Sequence, residues 1–200
     1  MVDRLVEFLR ARMPLTRAHE ELVRSAVRAR RAKKGETLQR AGEVATHGYF
    51  VANGLLRSFW IDDKGREHVL QFAPENWWLT DVNSMRDQTP STYFIEALED
   101  SDLVLLDAAA QTRFMAELPG YAAAYTTGLQ RMGAAREKRL FDSLSATAEQ
   151  RYLNFLDTYP SIARRVPQHM LASYLGLTPE TLSRLRGQLA RKKRAKPGAV

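Results

Sequence analysis

The sequence predicts an α+β chain: short helices first, then an antiparallel β-roll (jelly-roll) domain, a long helix and a C-terminal helix-turn-helix. Three observations predict it. Between about residues 28 and 107, short β-type runs alternate with turn signals at regular spacing. From 120 to 143, apolar residues recur at helical spacing. The stretch QHMLASYLGLTPETLSRLR (168–186) places Gly176 and Thr178-Pro179 between two apolar-periodic runs.

Residues 2–12 and 16–27 read as helices, with Val2, Leu5, Val6 and Leu9 on one face, and Leu22, Val23 and Val27 on another. Thr16 suits the N-cap, because its hydroxyl can accept from a free N–H of the first turn. In the β region, KKGE (33–36) and RAGE (40–43) punctuate the first runs. GYFVANG (48–54) ends in Asn53-Gly54, a short hairpin signal since both residues tolerate positive φ. LLRSFWI (55–61), DDKG (62–65) and REHVLQF (66–72) follow, and after a Trp-rich segment come TYFIEALE (92–99) and DLVLLD (102–107). QTRFMAEL (111–118) is a short helix that stops before Pro119. In the long helix, Tyr121, Tyr125, Leu129, Met132 and Leu140 form an approximate seam, interrupted by Arg136. That spacing serves a dimer interface and a helix packed on its own barrel equally well. AEQRYLNFLDTY (148–159) ends before Pro160. The implied domains are 1–118 for the β-roll with flanking helices, 119–144 for the long helix, which becomes a dimerisation helix on the resemblance given below, and 145–200 for the helix-turn-helix with a basic tail.

Within 168–186 each position has a task. Leu171, Leu175, Leu182 and Leu185 can form a small core between the two helices, and Ala172 lets them cross closely. Gly176 can take the left-handed conformation that ends the first helix. Thr178 is an N-cap, Pro179 fits the first helical position, and Glu180 lies at the positive end of the helix dipole. Glu180, Thr181, Ser183, Arg184, Gly187 and Gln188 are left on the outer side. A carboxylate there can accept from cytosine N4, and an arginine can take guanine O6 and N7. Arg186, Arg191 and Lys192 suit phosphates, which position a protein without specifying sequence.

Charge supports this reading. The 200 residues carry a formal net charge of +7, with a sequence pI of about 9.9. No acidic residue follows Glu180, while Arg184, Arg186, Arg191, Lys192, Lys193, Arg194 and Lys196 do, and these match the whole excess. A basic end beside a helix-turn-helix points to a polyanion such as double-stranded DNA. Cysteine is absent, which excludes disulfides and Cys-ligated zinc or iron–sulfur clusters. No apolar run approaches the ~20 residues needed to span a bilayer, and MVDRLVEFLRARM is charged throughout, unlike a signal peptide. The expectation is a cytoplasmic protein without a membrane partner.

The elements KKGETLQRAGE, GYFVANGLLRSFWIDDKGREHVLQF and LASYLGLTPETLSRLR resemble, in this order, the Crp/Fnr family of bacterial transcription regulators. The resemblance covers nearly the whole chain. It implies a cyclic-nucleotide-binding-type β-roll and a homodimer through the long helix, with Tyr121, Tyr125, Leu129 and Met132 at the interface. It further implies a C-terminal domain that binds a palindromic operator, with recognition helices roughly 34 Å apart, and RNA polymerase as a further partner. A small-molecule effector of unknown identity, or constitutive action, completes it. Two departures matter. The family's nucleotide binders carry a Gly-Glu pair and an Arg-Ser pair; FAPENWWLTDVNSMRDQTPSTYFIEAL has no Gly-Glu, and Ser91 follows Pro90. A cyclic phosphate would lack its charge-assisted bidentate partner, so neither cyclic AMP nor another cofactor is expected. Trp77, Trp78, Arg86, Ser91 and Thr92 remain the ligand candidates, with barrel core or barrel–helix packing the blander reading of the tryptophans. The second departure is the wing: ARKKRAKPGAV has little β character, and its basic tail could stand in for a wing.

Two other functions fit parts of the pattern. A cupin-type metal enzyme needs clustered ligands, but His19, His47, His68 and His169 show no ligand spacing. No Gly-rich phosphate loop or G-x-S-x-G elbow occurs either; an enzyme is not expected. A ligand sensor or scaffold of the same fold, with terminal helices that bind protein, would use the same elements.

Overall fold

The computed structural model describes residues 1–194, with side chains as far as Arg191. Helices α1 (Val2–Arg10) and α2 (Arg17–Ala26) open the chain. Thr16 caps α2: its hydroxyl accepts from the His19 N–H, and His19 accepts in return from the Thr16 N–H. Leu5, Val6, Leu9 and Val23 are buried together with Phe50 and Phe114, which fastens the helical layer to the sheet behind it.

Eight strands follow: β1 (Arg28–Ala32), β2 (Thr37–Gln39), β3 (His47–Asn53), β4 (Leu56–Ile61), β5 (Glu67–Ala73), β6 (Trp78–Leu79), β7 (Phe94–Ala97) and β8 (Ser101–Asp107), with α3 (Val82–Asp87) between β6 and β7. They form two four-stranded antiparallel sheets, ordered β1-β8-β3-β6 and β2-β7-β4-β5. Successive side chains point to opposite faces of a strand, and in β3 and β8 both faces are buried: one lies under the N-terminal helices and the other faces the opposite sheet. Tyr49, Val51, Leu103 and Leu105 from the first sheet share a core with Leu56, Ala73, Ile95 and Ala97 from the second. This is the jelly-roll arrangement the strand spacing implies.

The hairpin expected at Asn53-Gly54 is corrected by the topology. β3 and β4 lie in different sheets, so the dipeptide turns a corner between sheets. β3 already has β8 and β6 on its two edges, which leaves no edge for β4. Gly54 still uses its conformational freedom: its φ is +104°, and a Cβ there would collide with Ser101 Oγ. The turn at 62–65 does join a true hairpin, β4 with β5.

Helix α4 (Ala108–Glu117) leads to the long α5 (Tyr121–Ser145), then α6 (Ala148–Thr158), α7 (Gln168–Leu175) and α8 (Pro179–Arg194). α8 runs on through Ala190–Arg194, so the described part of the expected wing segment is helix; residues 195–200 of the basic tail lie outside the described residues.

The C-terminal helices dock on the β-roll. Phe155, Ile162, Leu171 and Leu182 share one core with Leu55, Val69, Phe72 and Leu98. β5 is an edge strand, and α7 covers it. Ser173 Oγ donates to the Glu67 carbonyl at 3.0 Å and accepts from the Val69 N–H at 3.0 Å, which satisfies backbone groups that an open edge would leave to water. Arg165 clamps the other side, donating to Glu75 at 2.8 and 2.9 Å and to Glu99 at 2.6 and 3.0 Å.

Candidate nucleic-acid interface

The two helices of 168–186 meet as the residue types imply. Leu171, Ala172, Leu175, Leu182 and Leu185 are buried. Gly176 ends α7 in the left-handed region, φ +65°, and its N–H donates back into the helix. A Cβ at this position would stand 3.3 Å from Arg151 Nη1, so the site is crowded as well as left-handed. Thr178 Oγ1 accepts from the Thr181 N–H at 3.2 Å and starts α8.

This core sets the outer face of α8. Glu180, Ser183, Arg184, Arg186, Gln188 and Arg191 are exposed, Thr178 is exposed at the cap and Thr181 is half-buried; the side chain of Lys192 lies outside the described residues. Glu180 is held below the usual carboxylate range by its own backbone N–H and by the Thr178 hydroxyl, so it is an ionised acceptor at neutral pH. Arg184 stands one turn further along the helix. The first turns of α8 therefore present one acceptor and one fork-shaped donor side by side, on a helix whose back is sealed.

The candidate ligand residues of the β-roll do not share a cavity. Trp77 is partly exposed and packs edge-on against Tyr159 of α6, with centroids 5.6 Å apart. Trp78 turns the other way, onto Phe50 at 5.3 Å, in the layer under α1. Arg86 is exposed and pairs with Asp87 at 2.7 Å, and Thr92 is exposed. Ser91 is buried, and its hydroxyl donates to Asp81 at 2.9 Å. The other oxygen of Asp81 accepts from the Ser84 N–H and caps α3. Ser84 Oγ accepts from the Ala45 N–H at 2.9 Å and donates to the Thr89 carbonyl. Tyr93 Oη donates to the Thr80 carbonyl at 3.0 Å, and burial raises its pKa, so it stays neutral. The buried polar groups of this segment thus partner one another.

Along α5, Tyr121 is buried against Phe114, and Tyr125 stacks on Tyr121. Leu129 and Met132 are half-buried. The first turns therefore anchor the helix to its own domain, and the large exposed apolar side chains lie further on: Leu140 (60% exposed), Phe141 (61%) and Leu144 (78%). Phe141 and Leu144 continue the apolar pattern past Leu140 and were legible in the sequence at that spacing. Arg165 was not: its partners Glu75 and Glu99 are 90 and 66 residues away.

The four histidines are dispersed. His47 sits on the first sheet beside Thr46, while His68 sits on the second, bonded to Asp62 and stacked on Trp60. Among the described residues, no three His, Cys, Asp or Glu side chains form a metal-binding group, and no helix is long and apolar enough to cross a membrane.

Comparison with known proteins agrees with this architecture. Residues 29–117 match the family model of the cyclic nucleotide-binding domain. FixK2 of Bradyrhizobium japonicum is similar at 20% identity, over 84% of this chain and 86% of that one, with a TM-score of 0.73. A mutant of CooA from Carboxydothermus hydrogenoformans is similar at 17% identity, over 84% and 78%, with a TM-score of 0.69. A structure from Eubacterium rectale assigned to the crp/fnr family of regulators is similar at 20% identity, over 89% and 85%, with a TM-score of 0.66. No curated protein sequence matches the chain.

Proposed function

We propose that this chain, a cyclic nucleotide-binding domain at 29–117 continued into the C-terminal helices in the fold of the Crp/Fnr regulators, is a dimeric, sequence-specific DNA-binding transcription regulator. One observation carries the reading. α8 seals Leu182 and Leu185 inward and turns Glu180, Ser183 and Arg184 outward at its N-terminal end. A recognition helix enters the major groove by that end. Arg184 is the candidate base reader, Glu180 its neighbouring acceptor, and Thr178, Thr181, Ser183, Arg186, Gln188, Arg191 and Lys192 flank them as base or phosphate contacts.

Dimerisation follows from α5. Leu140, Phe141 and Leu144 form an exposed apolar run that a second copy of the same helix covers, extending the seam from Leu129 and Met132. Two recognition helices related by a two-fold axis read a palindromic operator. The β-roll does not favour cyclic AMP as the signal: Ser91 bonds to Asp81, Arg86 faces solvent, and the buried polar groups are already paired. A cyclic phosphate there would displace these bonds and meet a carboxylate.

The test is a binding selection from a random duplex library, followed by Arg184→Ala on the enriched site. The expected result is a palindromic motif and a loss of about 1–3 kcal/mol confined to one base pair of each half-site. A library that returns no enriched motif removes the reading. A uniform loss across sequences reassigns Arg184 to a phosphate.

A further inference from the structure

A cavity of about 420 Å³ opens between α5 and the C-terminal helices. It belongs neither to the β-roll interior nor to the outer face of α8. Its volume lies within the ~300–1,000 Å³ of small-molecule sites. Phe155, Tyr159 and Tyr174 supply aromatic wall, and burial pushes the Tyr174 hydroxyl up to about 12, so that ring stays neutral.

The lining is cationic. Arg136, Lys138, Arg139 and Arg151 face one carboxylate, Asp142, whose Oδ2 already accepts from Lys138 at 3.0 Å and Asn154 at 3.2 Å. Among the described residues Arg139 pairs with no carboxylate: its Nη1 and Nη2 donate to the carbonyls of Leu70 and Val69, and its guanidinium lies over Tyr174. Burial lowers its pKa, as expected for a desolvated cation without a counter-charge. Arg151 donates through Nη1 to the Leu175 carbonyl at 2.8 Å. Its Nε is buried and has no hydrogen-bond partner among the described residues. The Nε–Nη2 edge takes a carboxylate in a bidentate fork once the side chain turns it toward the cavity.

We propose that this cavity binds a small aromatic carboxylate, with Arg151 receiving the carboxylate and the tyrosine and phenylalanine rings receiving the apolar body. It would be an effector site outside the β-roll. α5, α6 and α7 all contribute to its wall, so an occupant bears directly on the angle between the long helix and the helix-turn-helix. That consequence rests on the regulator reading; the binding itself does not.

The experiment is isothermal titration calorimetry of the full chain with salicylate as probe, and benzyl alcohol as its neutral counterpart. One saturable site for salicylate is expected, with benzyl alcohol at least about tenfold weaker because it lacks the charge. Arg151→Met should weaken salicylate by a similar factor. Since Arg151 also holds the end of α7, a second variant leaves it in place: Thr158→Trp, on the exposed rim, fills the cavity and should abolish the heat while the far-ultraviolet dichroism is retained. No saturable heat at millimolar salicylate overturns the proposal. So does equal binding by Thr158→Trp, or binding of benzyl alcohol at the strength of salicylate. A chain that binds salicylate yet selects no DNA motif keeps this site and loses the regulator.

Discussion

Arg165 is the clearest lever on how the two halves of the molecule are held together. It makes four hydrogen bonds to Glu75 and Glu99, both of the β-roll, while sitting in the segment that leads into α7. Its side chain is 25% exposed, against 28% for Glu75 and 34% for Glu99. Removing one partner of a dry ion pair costs about 3–5 kcal/mol, because the other charge is left uncompensated, and fully exposed pairs are worth well under about 1 kcal/mol each. Partial exposure places the loss on Arg165→Ala at about 2–3 kcal/mol, because two carboxylates are left facing each other with only partial access to water. At 1.4 kcal/mol per decade that is roughly a 30–150-fold shift toward the undocked arrangement. Amide hydrogen exchange measured by mass spectrometry reads it directly. The Val69 N–H donates to Ser173 Oγ of α7, so its protection reports docking, whereas segment 103–106 lies in the first sheet, between β1 and β3. Protection in 67–73 should fall by that factor and 103–106 should not change. A fall of less than threefold in 67–73 refutes the clamp, and an equal fall in both segments shows general destabilisation instead. A double-mutant cycle with Glu75→Gln isolates the pair.

The same clamp sets a pH dependence. Burial raises the Glu75 carboxyl, but the bonds from Arg165 and from the Gly54 N–H outweigh it and leave the pKa below its ordinary value. A depressed pKa contributes stability that is complete above the unfolded value, about 4.3, and is lost as pH falls through the folded one. Docking protection in 67–73 should therefore be flat from neutrality down to about pH 5 and weaken below about pH 4, with Glu75→Gln responding less; an unchanged slope in that variant rejects the assignment. Leu182→Ala, at a fully buried position, should cost about 2–5 kcal/mol. Operator binding should be lost while exchange in 103–106 stays slow; a variant that keeps full operator affinity and an unchanged melt shows that Leu182 is not in the helix-turn-helix core.

Much of the fold was legible because its signals are local. Gly176, Thr178 and Pro179 each have a conformational preference expressed within a few residues, and the four leucines at helical spacing select the buried face whatever lies beyond. The strands were legible from turn residues and apolar runs, but their partners were not. Asn53-Gly54 shows the limit: the dipeptide determines that the chain turns with positive φ, while the sheet to which the next strand belongs depends on which edges β8 and β6 have already taken. The candidate ligand residues show it again. Trp77 and Trp78 are adjacent in sequence, yet one packs on Tyr159 and the other, at the start of β6, on Phe50.

By itself the sequence determined the order of the elements, the turn of the helix-turn-helix and the exposed arginine and glutamate at its entrance, since these rest on backbone preferences and periodicity. Only the tertiary structure decided how the C-terminal helices are docked. The Arg165 clamp, the Ser173 bridge to β5 and the cavity beside Arg151 each join residues from segments far apart in the chain. Such contacts are selected by shape, burial and charge in three dimensions, and no spacing along the chain encodes them.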